Sequence, residues 1–186
     1  MSFDREQFVE DCVIASRERE SQAAVREVLT RAVGDHAGVL TALHPPQVAG
    51  LDVLHRSPTL TIFAAKWAPH MNLLTHDHRM WALIGIYTGR EDNILWRRTT
   101  EGVEAYDAKV LFAGDVATLS AAAIHSVTNP LPRFTAGIHI YGGDFFDATR
   151  SQWDSETLAE GPSDGAAIRD MFERENERLR SCSGAQ

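Results

Sequence analysis

The chain has 186 residues, 44% hydrophobic and 24% charged, which is enough for one domain with a sizeable core and too few for two ordinary ones. Its 18 Lys and Arg stand against 26 Asp and Glu, a formal charge of −8 that repels phosphate backbones, so no nucleic-acid partner is expected. There is no long apolar run, and Asp4, Arg5, Glu6, Glu10 and Asp11 interrupt the start, so neither a membrane span nor a secretory leader is expected and the expected location is the cytoplasm.

In chain order, residues 3–33 space Phe3, Phe8, Cys12, Ile14, Ala15, Val25, Val28, Leu29 and Ala32 mostly by three, four or seven, a helical period. A second short helix is expected over residues 35–43, ending at His44-Pro45-Pro46, because a residue before proline is pushed out of the helical region. The pattern then changes to short β-rich segments at 60–67, 81–87, 93–98, 110–112, 116–119 and 134–141, bounded by Gly, Pro, Asn or Asp. Many short strands at this spacing predict a sandwich or small barrel. From about Ser163, Ile168, Met171, Phe172 and Leu179 recur at helical spacing, with Ser163 or Asp164 as N-cap, which predicts a helix on the outside of the β domain. The expected organisation is therefore a single domain: a helical segment over 1–45, a β-barrel over 46–160 and a C-terminal helix over 161–186.

The two cysteines, Cys12 and Cys182, are too few for a disulfide framework or a cysteine metal site, and no Gly-rich nucleotide loop is present. The histidines carry more. His76 and His78 in Thr75-His76-Asp77-His78 are two apart, so on a strand they project to the same face and can grip one ion together, while Asp77 points away. His125, in Ile124-His125-Ser126-Val127-Thr128-Asn129, supplies a third imidazole from a distant strand, and Asn129 is expected to organise the turn that follows. His36, His44, His55 and His70 lack partners at ligand spacing and read as surface or structural residues.

Two blocks frame these residues: His-x-His followed after ten residues by Gly89, and Gly114 followed after ten residues by His125 and then Asn129. They resemble the paired motifs of the cupin superfamily, which implies a mostly β fold, the double-stranded β-helix or jelly roll, with N-terminal helices, a C-terminal helix and a metal inside the barrel. The usual Pro-x-Gly before the third histidine is replaced by Ser120-Ala121-Ala122. The glutamate ligand common in cupins is also missing, since Ala82 and Leu83 stand in its place.

A three-histidine cupin is similar to the thiol dioxygenases, the family of cysteine dioxygenase and 3-mercaptopropionate dioxygenase. The likeness is carried by residues 76–89, by His125-Ser126-Val127-Thr128-Asn129 and by His139-Ile140-Tyr141-Gly142-Gly143-Asp144-Phe145-Phe146, and spans roughly residues 40–160. It implies Fe(II) held by His76, His78 and His125, with His139 and Tyr141 as a catalytic pair pointing into the pocket and a small thiol and O2 as partners. The family's Ser-x-His-x-Tyr series has Gly137 at the serine, so the relay is shortened to His139 and Tyr141, with a water as the candidate replacement for the hydroxyl. Neither cysteine lies near these motifs, so no cysteine–tyrosine thioether is expected.

A small acid needs a cation for its carboxylate, and the planar fork of arginine suits both oxygens. The arginine of the cysteine-specific type falls near Gly50 and is absent, although Arg56 lies in the neighbourhood. The arginine of the 3-mercaptopropionate type follows the His-x-Tyr strand and matches Arg150. Trp81, three residues after His78, is expected to wall the pocket. The expected reaction is oxidation of a small carboxylated thiol, 3-mercaptopropionate or cysteine, to its sulfinic acid. The alternatives are a cupin oxygenase of a non-thiol substrate and a non-catalytic small-ligand-binding cupin. The sequence sets no oligomeric state.

Overall fold

The computed structural model describes residues 3–183. Three helices come first: α1 (Arg5–Ala15), α2 (Ser21–Gly34) and α3 (His36–Leu43). Asp4 caps α1 by accepting from the Gln7 N–H at 2.9 Å, and Asp35 caps α3 by accepting from Gly38 at 3.1 Å. The helical period read across residues 3–33 is thus two helices broken over 16–20. The period survives the break because both bury one face in the same cluster, Phe8, Cys12 and Ala15 from α1 and Val25, Leu29 and Val33 from α2.

Eleven strands follow: β1 (Gly50–Arg56), β2 (Thr61–Trp67), β3 (Asn72–Asp77), β4 (Ala82–Thr88), β5 (Arg90–Thr99), β6 (Gly102–Phe112), β7 (Val116–Leu119), β8 (Ile124–Thr128), β9 (Thr135–Tyr141), β10 (Ser151–Trp153) and β11 (Glu160–Pro162). They form two antiparallel sheets, one ordered β1-β2-β9-β4-β7 and the other β11-β10-β3-β8-β5-β6. Neighbours in each sheet are mostly distant in sequence, and the chain passes back and forth between the sheets. That is the double-stranded β-helix, mostly β with helices at both ends, as expected from the sequence.

Side-chain alternation divides the interior. On β2 and β9, Ile62, Ala64, Ala136, Ile138 and Ile140 face α1–α3, whereas Phe63, Ala65, Trp67 and Tyr141 face the opposite sheet. The helices sit so close that a methyl group at Gly85 of β4 would lie 2.8 Å from Leu29 Cδ1. Gly89 joins β4 to β5 with φ +82, and a Cβ there would meet Thr135 Oγ1 at 2.2 Å, so this position takes glycine on both conformational and steric grounds.

The C-terminal helix α4 (Gly165–Ser183) begins as expected, with Asp164 accepting from the Ala166 N–H at 2.8 Å. The helix is mostly exposed, as expected of a helix on the outside of the β domain, and inserts one side chain inward. Phe172 is buried in the core between the sheets and stacks on Trp67 at 5.6 Å, so the helix closes one end of the barrel. No helix among the described residues is long and apolar enough to cross a membrane.

Candidate metal centre

The centre is built between the sheets. His76, on β3, and His125, on β8, are register partners on paired strands, and an irregularity in the ladder between Leu73 and His76 resets that register just before the histidine. His78 follows the end of β3, and Arg79 turns the chain with φ +58. All three rings are buried and their ligand atoms lie within 4.8 Å of one another. His78 Nε2 is 3.1 Å from His76 Nε2 and 3.1 Å from His125 Nε2. An ion held about 2.1 Å from each nitrogen, the usual imidazole bond length, would see such neighbours about 95° apart. That is close to the 90° between adjacent ligands of an octahedron.

The protonation states suit such an ion. His76 Nδ1 lies 2.9 Å from the Leu74 carbonyl, which only accepts, so Nδ1 carries the hydrogen and Nε2 the lone pair. Burial, offset in part by that hydrogen bond, pushes His76 down to about 4, and burial with repulsion among neighbouring imidazoles holds His78 and His125 well below the ordinary histidine value. Three neutral imidazoles with converging lone pairs are a poor arrangement without a cation and a good one with it. The group His76, His78, His125 fits a metal ion.

Asp77 turns the other way, as its position between the two histidines predicts. It accepts the Ser151 N–H at 2.7 Å and pairs with Arg79 at 2.7 Å. Asn129 ties the turn after β8 by donating to the carbonyls of Trp67, Ala68 and Arg133 and accepting from Leu131.

A cavity of about 40 Å³ adjoins the histidines, with His76, His125, His139, Tyr141, Phe63, Trp67, Phe145 and Arg150 among its lining. That is room for about three water-sized groups. It shares Leu51, Phe145, Arg150, Ile168 and Phe172 with an outer depression of about 330 Å³ that includes Gly50. The two cavities adjoin between β1, the 145–150 loop and α4. Arg150 is 9% exposed, its guanidinium carbon is 3.9 Å from the centre of the Phe145 ring, and its Nε and Nη1 have no hydrogen-bond partner among the described residues. Burial pushes this guanidinium down, but arginine stays charged. Arg56, the other candidate cation, is exposed and held by Asp144 at 2.9 Å.

His139 and Tyr141 face the chamber from β9, with His139 Nδ1 3.3 Å from the Tyr141 hydroxyl, and the Tyr141 and His78 rings lie 4.9 Å apart. Burial raises the Tyr141 hydroxyl well above its ordinary value, so it stays protonated. Beside His139 Nε2, where a water was expected to replace the serine, stands the buried carboxylate of Glu91, Oε2 3.4 Å away. Glu91 also accepts from Trp67 Nε1 at 2.7 Å and from Asn93 Nδ2 at 3.0 Å, and Asn93 Oδ1 lies 2.7 Å from His125 Nδ1. Burial pushes the Glu91 carboxyl up, but the neighbouring His139 ring and the hydrogen bonds from Asn93 and Trp67 outweigh it and hold it below its ordinary value.

Two placements depart from the sequence reading. Trp81 does not wall the chamber: it packs on the helix-facing cluster against Gly142, because β4 turns Ala82 inward and leaves its neighbour on the other side. The sequence pattern starts this strand at Asn93, which leaves Glu91 outside it and gives Asn93 no role. The signal lay in Glu91, Asn93 and Leu95, buried residues spaced by two on β5. His36, His44 and His70 are exposed and His55 half-buried, all away from the centre. A larger cleft of about 650 Å³ lined by Arg79, Arg97, Arg98 and Lys109 also lies elsewhere, its arginines already paired with Asp77, Glu104 and Glu160.

The architecture and the three-histidine group define a double-stranded β-helix barrel with a group able to hold a metal ion. No family model and no curated protein matches the chain. Solved structures with similar folds include an RmlC-like cupin from Methanocaldococcus jannaschii, 9% identical over 55% of this chain and 87% of that one, TM-score 0.47. A double-stranded β-helix protein from Klebsiella pneumoniae is 11% identical over 65% and 90%, TM-score 0.44. Oxalate oxidase in complex with glycolate is 13% identical over 53% of each chain, TM-score 0.44.

Proposed function

We propose that the protein is a non-haem iron(II) thiol dioxygenase that takes a small carboxylated thiol, 3-mercaptopropionate or cysteine, and O2 to the sulfinic acid. The observation that carries this reading is Arg150: a buried cation with two unpaired nitrogens, beside three converging imidazoles, in a chamber sized for a few atoms. An unpaired buried guanidinium costs several kcal/mol unless an anion reaches it. A carboxylate supplies that anion and leaves the other end of a short acid at the histidines. The Arg56–Asp144 pair leaves Arg150 as the cation facing this chamber, which favours 3-mercaptopropionate over cysteine.

Ferrous iron on His76, His78 and His125 would supply a Lewis acid that lowers the thiol pKa and a redox partner for O2. The overall change is R–SH + O2 → R–SO2H: both oxygen atoms end on sulfur, which rises to the sulfinic rung, and no outside reductant is required. Arg150 binds the carboxylate through Nε and Nη1 and fixes the reach of the thiol. Tyr141 presents its hydroxyl at the His78 side of the chamber, oriented by His139. Phe63, Trp67, Phe145 and Phe172 keep bulk water from the reacting end. An oxygenase of a non-thiol acid would use Arg150 equally well. Oxygen uptake by the iron-loaded protein with 3-mercaptopropionate, cysteine and cysteamine separates the readings: the proposal predicts uptake highest with 3-mercaptopropionate, and no uptake with any thiol by a stoichiometrically iron-loaded protein overturns it.

A further inference from the structure

We propose that Glu91 is a positioning residue that sets both halves of the centre: through Asn93 it fixes which nitrogen of His125 faces the ion, and through His139 it fixes the direction of the Tyr141 hydroxyl. The role rests on the three histidines being a metal site, not on the identity of the substrate.

A carboxylate only accepts hydrogen bonds. Because Glu91 Oε1 takes a hydrogen from Asn93 Nδ2 at 3.0 Å, the Asn93 amide must turn its oxygen toward His125 Nδ1, 2.7 Å away. That oxygen also only accepts, so Nδ1 carries the hydrogen and Nε2 keeps its lone pair on the side where His78 Nε2 lies. With the amide reversed, an NH2 group would face Nδ1 and the ring hydrogen would move to Nε2, where the ion belongs. On its other side Glu91 Oε2 takes the Trp67 indole hydrogen and stands 3.4 Å from His139 Nε2. That contact favours a ring hydrogen on Nε2, and a ring with its one hydrogen there has Nδ1 to receive the Tyr141 hydroxyl, 3.3 Å away. Gly137 leaves this edge open: its Cβ would lie 3.5 Å from His139 Nε2 and 2.9 Å from Ile86 Cδ1. One anion thus reaches a ligand carried by one sheet and a tyrosine carried by the other.

Glu91→Gln keeps the shape but offers one oxygen and one NH2 where two acceptors are needed. With its oxygen on Trp67, its NH2 faces Asn93 and forces that amide to reverse. The expected result is a ten- to hundredfold, by order of magnitude, weaker Co(II) or Fe(II) affinity in competition titrations of the metal-free protein, from a residue that does not touch the ion. Adding Asn93→Asp restores the order, since the introduced glutamine amide then donates to a carboxylate that also accepts from His125. The double variant should recover metal affinity close to wild type while kcat stays low, because the charge has left His139. This signature is readable even if E91Q alone does not fold. E91Q with wild-type affinity, or a double variant that binds metal weakly, overturns the role. A wild-type chain that takes up no metal overturns the metal centre itself and this role with it.

Discussion

The Arg150 guanidinium carbon lies over Phe145, 3.9 Å from the ring centre, with Nε and Nη1 making no hydrogen bond among the described residues. The ring holds the cation over the passage into the chamber, where a charged hydrogen bond to an incoming carboxylate is worth about 1.5–3 kcal/mol. Arg150→Ala should therefore raise KM for 3-mercaptopropionate by about ten- to hundredfold. With cysteamine, which lacks the carboxylate, KM should hardly move. Steady-state oxygen uptake measures both, and equal effects would remove Arg150 from substrate binding.

His125→Ala should abolish metal uptake and turnover together, because two imidazoles seldom retain ferrous iron against water. Metal content after loading and desalting is the readout. The variant should stay folded, since removal of a buried neutral ring leaves a cavity but no buried charge. Iron bound as in the wild type would refute the assignment.

Phe172 joins the centre to the C-terminal helix through its stack on Trp67 and its place in the lining of both cavities. Phe172→Ala should cost about 3–5 kcal/mol in urea unfolding, the usual loss for a buried phenylalanine. It should also let water reach the chamber, so that oxygen consumed exceeds sulfinate formed. Unchanged stability would mean that α4 does not close the barrel end in solution.

The metal-free protein should lose stability as pH falls from about 6.5 toward 4. His76 has its ordinary value of 6.5 when unfolded and about 4 when folded, mainly from burial, so the unfolded chain binds the proton first and is favoured on acidification. Its share is present above 6.5, is lost through that window and amounts to about 3 kcal/mol; His78 and His125 add in the same direction. Urea midpoints of the apoprotein at pH values of about 7.5, about 6, about 5 and about 4.5 check the sign. A midpoint that stays level over the range would show that these rings are not buried neutral.

What was legible in the sequence was what periodicity and spacing encode. Ile62, Ala64, Ile138 and Ile140 alternate with inward residues and His76 and His78 stand two apart, so a sandwich or barrel and a histidine pair on one face are legible from the pattern, while the jelly roll and His125 as third ligand follow from the family resemblance. Arg150 was legible only through the resemblance to the 3-mercaptopropionate type, whose arginine follows the His-x-Tyr strand. Glu91 was not, because its importance depends on Trp67, Asn93 and His139, which come from three strands and meet only on folding. Phe172 was read as one residue of an amphipathic helix, a pattern that says which face is buried but not what it is buried against. Trp81 was misplaced by one strand position, and a shift of one residue exchanges the two faces of a sheet.

The most direct test of the account is the mass of the product formed from 3-mercaptopropionate by the iron-loaded protein under 18O2. The account predicts 3-sulfinopropionate carrying both labelled oxygen atoms, absent when His125 is replaced by alanine. A disulfide as the sole product, or a sulfinate with oxygen drawn from water, would contradict it.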